Sequence, residues 1–222
     1  MNALIGGKKV PDNLLGKLKE SSLCNFKNTD FSDKLEEDGY LFIPNAIDVS
    51  EIKTARNDIF KKLNEIDELE DPYNEGIFSG KSIRDKIHSD RGIFWESISS
   101  GKSLRNITNG KNLEAIFSKI FEEPAIGFDF IFLRAVAGGK FTHMHCDSGF
   151  FTRSTKKVLT CWLVFTEITL DKGPLFVVEG SHKFDDIKKQ FLDFDVAIHK
   201  DRKATIDVPP VQFAEERNTK LL

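Results

Sequence analysis

The sequence predicts an α+β protein with helices in its first part and short β-strands in its second. Up to about residue 123, apolar residues recur at helical spacing. From residue 124 to residue 222, short apolar runs alternate with turns that contain Gly or Pro. Short strands at this spacing are typical of a β-sandwich or jelly roll. A chain of 222 residues can bury a core of its own, so we predict a single domain, with a helical support region over 1–123 and a β core over 124–222.

The helices of the first part are predicted from capping residues and apolar stripes. A short helix leads up to Asp38 and ends at Gly39, and residues 40–43 read as a strand stopped by Pro44. Asp48 and Glu51 form a capping box for the next helix. Its apolar stripe consists of Ile52, Ala55, Ile59, Phe60, Leu63 and Ile66. A further helix carries the stripe Leu113, Ile116, Phe117, Ile120 and Phe121 and is closed by Pro124.

The strands of the second part are predicted from apolar runs between turns. They cover residues 128–136, 140–146, 158–165 and 175–178, with turns at residues 138–139 and 173–174. The run 158–165 is almost continuously apolar, which is typical of a strand buried on both faces.

Composition excludes several classes of protein. The net charge of −3 gives no basic excess for nucleic acid. Three widely spaced cysteines without a CxxC pair argue against a zinc knuckle and a disulfide framework, and favour a reducing cytoplasm. The first twenty residues lack the apolar segment of a secretory signal, and no stretch suits a membrane span.

His145-Cys146-Asp147 carries the chemistry of the sequence. Side chains two apart on an extended strand point the same way, so His145 and Asp147 share a face while Cys146 points away as a small buried residue. One imidazole and one carboxylate are two members of the 2-His-1-carboxylate triad that holds non-haem Fe(II) in oxygenases. The two residues are therefore candidate metal ligands.

Four blocks in order resemble the phytanoyl-CoA dioxygenase-like family. They are residues 38–45 with their Asp-Gly-Tyr start, the HxD triplet 145–147, residues 162–165, and residues 173–183 with Gly-Ser-His. The resemblance implies a double-stranded β-helix (a cupin-like jelly roll) that binds Fe(II) and 2-oxoglutarate. It also implies an enzyme that uses O2 to hydroxylate a small organic metabolite, with succinate and CO2 as co-products.

The resemblance suggests further site residues. Trp162 falls where the family has a Trp lining the 2-oxoglutarate pocket, and Thr160 shares its parity on the strand. A packed core Trp is the alternative. Arg134 lies in an apolar strand and is a candidate for pairing with a carboxylate, or else an edge residue facing water. His143 is a candidate outer contact, and His182 is expected to fix a turn.

The sequence departs from the family after Lys183. No Gly-Asp strand follows, no His follows His199, and the Arg expected for 2-oxoglutarate is missing. Three explanations stay open: a fragment whose last strands lie elsewhere, a short variant that recruits His199 or His182, or a non-catalytic jelly-roll binding protein. A cupin-type isomerase fits the single HxD poorly. The substrate stays open, and four cations favour an anionic one: Arg134, Arg153, Lys156 and Lys157. The sequence assigns no oligomeric state.

Overall fold

The computed structural model describes residues 3–23, 28–88, 90–133, 141–151, 153 and 155–222. Within them lie the helices α1 (Asn28–Asp38), α2 (Val49–Asn64), α3 (Arg84–Ile87), α4 (Arg91–Ser99), α5 (Lys102–Thr108), α6 (Lys111–Phe121), α7 (Ser148–Phe151), α8 (Asp185–Phe191) and α9 (Pro210–Glu216). The strands are β1 (Leu4–Ile5), β2 (Lys8–Lys9), β3 (Met144–His145) and β4 (Thr205–Ile206). β1 pairs with β2, and β3 with β4, both antiparallel.

The chain divides into two compact units. The first comprises Met1–Ser22, Thr29–Phe42 and Gly138–Leu222, and the second Leu23–Asn28 and Ile43–Ala137. The division into a helical part and a β part near residue 123, and the single domain, stay predictions.

The first unit is built around one hydrophobic cluster that draws on distant parts of the chain. Its buried members are Ala3, Val10, Leu14, Met144, Val178, Ile187, Phe191, Phe194, Phe213, Ala214 and Leu221. The backbone of Leu221 and Leu222 lies between two other segments. Leu222 exchanges hydrogen bonds with Val177, at 2.8 and 3.0 Å, and Leu221 donates to Leu14 at 2.8 Å. Met144 contributes β3 to the same cluster, so the strand that carries His145 rests on this core.

The second unit is helical, with α2 packed against α4 and α5. A part-buried ion pair joins Arg84 to Glu68 through two contacts of 2.6 and 2.7 Å, and Ser82 donates to the same carboxylate at 2.7 Å. The guanidinium of Arg84 lies over the rings of Phe94 and Trp95, at 4.8 and 4.6 Å from their centroids. The pair therefore ties α3 to α4 and to the chain that follows α2.

The helices that the sequence predicts are confirmed. α1 ends at Asp38, and Gly39 follows with φ 80°. Asp48 caps α2 by accepting a hydrogen bond from the Ser50 N–H at 2.7 Å. Most of the predicted stripe of α2 is buried, as are two stripe residues of α6, Leu113 and Ile116. α6 ends at Phe121, before the predicted stop at Pro124.

Most predicted strands are wrong in extent. Residues 158–165 form no regular strand, and Trp162 and Leu159 in this run are 51% and 39% exposed. Of the run 140–146 only Met144 and His145 are in a strand, residues 128–133 of another run are irregular, and residues 134–136 lie outside the described residues. In the runs 40–43 and 175–178, only Phe42 and Val178 make isolated bridges.

An apolar run becomes a buried strand only where other strands accept and donate its backbone hydrogen bonds and other segments cover both of its faces. The described residues show small sheets and no closed barrel, so the β-helix prediction is not confirmed by them.

The Gly-Ser-His block docks on the end of α1. A 3-10 turn, Ser181–Lys183, places His182 and Lys183 against the last carbonyls of the helix. His182 donates from Nε2 to the Glu36 carbonyl at 3.0 Å, and Lys183 donates to the Glu37 carbonyl at 2.8 Å. These groups satisfy acceptors that a helix end leaves without partners. His182 therefore binds the end of α1, and its expected role in fixing the turn stays a prediction.

None of the helices in the described part of the chain combines the length and the apolar character needed to cross a membrane.

Candidate metal centre

β3 presents His145 on its solvent side and Met144 on its core side. Met144 is buried within the cluster of the first unit, and Cys146 packs partly buried against it. His145 and Asp147 keep 33% and 39% of their side chains exposed. The alternation expected of an extended strand thus holds across the triplet, and it brings the two candidate ligands to the same side.

The imidazole and the carboxylate converge. Nε2 of His145 lies 3.1 Å from Oδ1 of Asp147. The other ring nitrogen, Nδ1, lies 2.8 Å from the carbonyl oxygen of His143, and a carbonyl can only accept, so Nδ1 carries the proton. In the neutral ring, Nε2 therefore directs a lone pair at a carboxylate oxygen. Two such lone pairs repel each other unless a proton or a cation lies between them.

Asp147 is held in its charged form. When the ring is protonated, Nε2 of His145 donates to Asp147, and this hydrogen bond, with a smaller effect from Thr160, keeps the pKa of Asp147 below its usual range, although partial burial acts in the opposite direction. Burial, together with the nearby charge of Asp147, raises the pKa of the Cys146 thiol. The triplet therefore presents a charged carboxylate beside the imidazole, and Cys146 keeps its proton.

This arrangement fits a divalent metal ion in part. Ligands at right angles on an octahedral ion, with bonds of about 2.1 Å, lie about 3 Å apart, close to the separation seen here. A carboxylate and a neutral imidazole are the donors of a non-haem iron site. Within the described residues, however, no group of three His, Cys, Asp or Glu side chains comes together. His145 and Asp147 fit two ligand positions of a divalent metal ion, and the described residues do not supply the third ligand.

The histidines weighed as a third ligand have other partners. His199 accepts at Nδ1 from the Asp195 N–H at 3.0 Å, and His182 binds α1. His143, which was weighed only as an outer contact, lies two residues before His145, and its ring centroid is 5.1 Å from that of Phe141. The structure brings none of the three into a cluster of metal-binding residues in the described part of the chain.

Of the residues predicted to bind the co-substrate, Thr160 interacts with the His145–Asp147 pair. The Thr160 hydroxyl helps to keep the pKa of Asp147 below its usual range. Trp162, two residues on, is half exposed rather than packed in a core. Arg134 lies outside the described residues, and its role stays a prediction.

Of the four cations expected to favour an anionic substrate, Arg134 lies outside the described residues, and two others bind carboxylates of this chain. Arg153 makes a two-pronged contact with Asp195, at 2.7 and 3.1 Å, and Lys156 pairs with Asp193. Each cation thus meets an opposite charge of its own chain, which weakens the argument for an anionic substrate. The sequence gives little sign of these pairs, because their acidic partners lie some forty residues further along the chain.

Phe150 is a site residue that sequence reasoning missed. Its ring meets the His145 ring edge to face, with centroids 6.2 Å apart and planes at 88°. The sequence offers one indication of this contact: Phe150 follows Asp147 closely, and a turn of helix after Asp147 brings the chain back towards His145.

Comparison with known proteins assigns the family. The family model described as phytanoyl-CoA dioxygenase (PhyH) matches residues 35–210. A curated relative, the phytanoyl-CoA dioxygenase domain-containing protein 1 homolog of Caenorhabditis elegans, is 26% identical over 191 residues, which cover 69% of this chain. The chain spans 65% of that relative's length. No solved structure matches the chain. The family is one of Fe(II)- and 2-oxoglutarate-dependent oxygenases with a cupin-like jelly-roll fold. Since the family model covers most of its length and includes the His145–Asp147 pair, the chain belongs to the phytanoyl-CoA dioxygenase family.

Proposed function

We propose that the protein is an Fe(II)- and 2-oxoglutarate-dependent dioxygenase that hydroxylates a small organic metabolite and releases succinate and CO2. The observation that carries the proposal is the convergence of His145 Nε2 and Asp147 Oδ1, 3.1 Å apart, in a chain of this oxygenase family. Iron with bound 2-oxoglutarate supplies the activation of O2 in such a site.

The residues of the chain hold and orient the donors of this site. The carbonyl of His143 keeps the proton on Nδ1 of His145 and so leaves Nε2 as the ligand atom. The Thr160 hydroxyl, which helps to lower the pKa of Asp147, would help to orient the carboxylate. A metal ion recruits such a pair at little entropic cost, because both side chains already point to the same place.

The co-substrate is proposed to lie beside Thr160 and Trp162. The hydroxyl of Thr160 interacts with Asp147, so residues of this segment would help to bind a keto acid held at the metal. Trp162 offers an exposed aromatic face two residues along the same extended backbone. Arg134 is retained as a proposed partner of a carboxylate.

The test is succinate formation from 2-oxoglutarate in the presence of Fe(II) and O2. We expect turnover by the wild-type protein and a loss of at least about a hundredfold in His145→Ala and Asp147→Ala, since removal of a ligand empties the site. His88→Ala is the matched control, because His88 lies in the second unit with its ring against Phe94. Turnover that survives in His145→Ala contradicts the assignment.

A jelly-roll binding protein without redox turnover is the second candidate. It is favoured by the finding that no third metal ligand joins His145 and Asp147 within the described residues. Anaerobic titration with Fe(II) separates the two functions. Binding that requires both residues, together with succinate formation, supports the dioxygenase, whereas ligand binding without metal dependence or turnover supports the binding protein.

A further inference from the structure

We propose that Phe150 is a positioning residue of the metal pair, which holds the His145 imidazole in the orientation that directs Nε2 at the ion. The inference rests on the proposed function and assigns a role to a residue outside the ligand set. It follows from two contacts that Phe150 makes, one through its backbone and one through its ring.

The backbone contact ties Phe150 to the carboxylate ligand. Its N–H donates to the carbonyl oxygen of Asp147 at 2.9 Å. This bond closes the first turn of α7 directly after the triplet. The place of the Phe150 ring is therefore set by the same turn that fixes the backbone of Asp147.

The ring contact reaches the imidazole ligand. The Phe150 and His145 centroids lie 6.2 Å apart with planes at 88°. This is the edge-to-face geometry that aromatic rings prefer, because the positive edge of one ring meets the negative face of the other. Phe150 thus contacts both candidate ligands, one through each part of the residue.

The ring contact complements the hydrogen bond of the imidazole. The bond from Nδ1 to the His143 carbonyl fixes which nitrogen faces Asp147, and the Phe150 ring limits rotation of the imidazole plane. A third of the His145 side chain is exposed, so core packing does not lock the ring. A ring set perpendicular to the imidazole restricts this rotation and keeps Nε2 beside Asp147.

Phe141 provides a matched control. It is 44% exposed, close to the 40% of Phe150, and its ring also meets a histidine. That histidine is His143, with centroids 5.1 Å apart and planes at 51°. The same substitution at Phe141 therefore removes an equally exposed ring from a histidine that is not a proposed ligand.

The first experiment needs no metal. Nuclear magnetic resonance of the histidine ring protons reports the ring current of a neighbouring aromatic side chain, and His145→Ala assigns the signal. We expect Phe150→Leu to shift the His145 ring signal, whereas Phe150→Tyr and Phe141→Leu leave it in place. If Phe150→Leu fails to fold, Phe150→Met replaces it, since Met keeps the length without an aromatic ring. An unshifted His145 signal in the Leu or Met variant overturns the inference.

The second experiment measures metal affinity with Co(II), followed by its visible absorption. We expect binding to weaken about threefold to tenfold in Phe150→Leu, the range that the loss of one aromatic pair supports. Phe150→Tyr and Phe141→Leu are expected to stay within about twofold of the wild type. Equal affinity in Phe150→Leu and the wild type overturns the positioning role and leaves the proposed function standing. Wild-type affinity no higher than that of His145→Ala overturns both.

Discussion

Replacing Gly39 by Ala tests how closely the Gly-Ser-His block packs on the end of α1. Gly39 has φ 80°, and a Cβ built on it falls 2.3 Å from Nδ1 and 2.5 Å from Cγ of His182. Atoms of different side chains do not approach this closely, so the His182 ring must move. Because Nε2 of that ring donates to the Glu36 carbonyl, the movement also breaks the hydrogen bond at the end of the helix.

The expected loss of stability is the sum of these effects. The left-handed backbone destabilises a residue that carries a Cβ by about 1 kcal/mol. The displaced ring adds about 1 kcal/mol for strained packing, and the broken hydrogen bond about another 1 kcal/mol. Gly39→Ala should therefore lower the free energy of unfolding by about 3 kcal/mol. Gly173→Ala, at φ 73° with nothing within 4 Å of the added Cβ, should show the backbone effect alone.

Urea denaturation followed by circular dichroism measures the difference. A second comparison removes the ring: in a His182→Ala background, Gly39→Ala should be destabilising by about 1 kcal/mol only, since the clash has gone. Equal losses for Gly39→Ala and Gly173→Ala, or an unchanged loss in the His182→Ala background, refute the packing argument.

Two further predictions concern ion pairs. Glu68→Ala should lower the free energy of unfolding by about 3 kcal/mol, because it leaves the part-buried Arg84 charge without its carboxylate partner. Lys62→Ala is the control, since it removes the exposed pair with Glu65. It should change the free energy of unfolding by less than about 0.5 kcal/mol in the same urea titration. Arg153 holds the pKa of Asp195 below its usual range, so the pair stabilises the fold at neutral pH, and this contribution is lost as the pH falls through the lowered pKa. The difference in urea midpoint between the wild type and Arg153→Ala should therefore shrink between pH 7 and acid pH, and a difference independent of pH would refute the argument.

The helices could be predicted because their signals are local. Asp48 caps α2 with its own side chain, two residues from the N–H that it accepts. Gly39 ends α1 through its own backbone conformation. Neither feature requires knowledge of a distant residue, so sequence pattern and propensity suffice.

The strands could not be predicted because a strand depends on partners elsewhere in the chain. β3 pairs with β4, some sixty residues later in the sequence, and no apolar run marks β4. Residues 158–165 have the composition of a buried strand, yet composition does not say which segments cover it. The exposed Trp162 is the visible result.

In the candidate metal site, too, local features could be predicted and long-range contacts could not. His145 and Asp147 are two residues apart, so strand geometry alone brings them together, and their convergence could be predicted. Thr160 was selected by its parity with Trp162, and the contact it makes with Asp147 depends on longer-range packing. The Arg153–Asp195 pair depends on the course of the chain after Asp147, which the sequence pattern does not reveal. For Phe150, the sequence offers only its short distance from the triplet.

The Asp-Gly-Tyr block and the Gly-Ser-His block are in direct contact, which gives a physical reason why both occur in this sequence. The Asp-Gly-Tyr block ends α1 and leaves carbonyls without partners, and His182 of the Gly-Ser-His block donates to one of them. The ring can approach this closely only because residue 39 has no side chain. A change in either block therefore affects the other. The same contact accounts for His182 without a role at the metal, so the third ligand is not to be sought there.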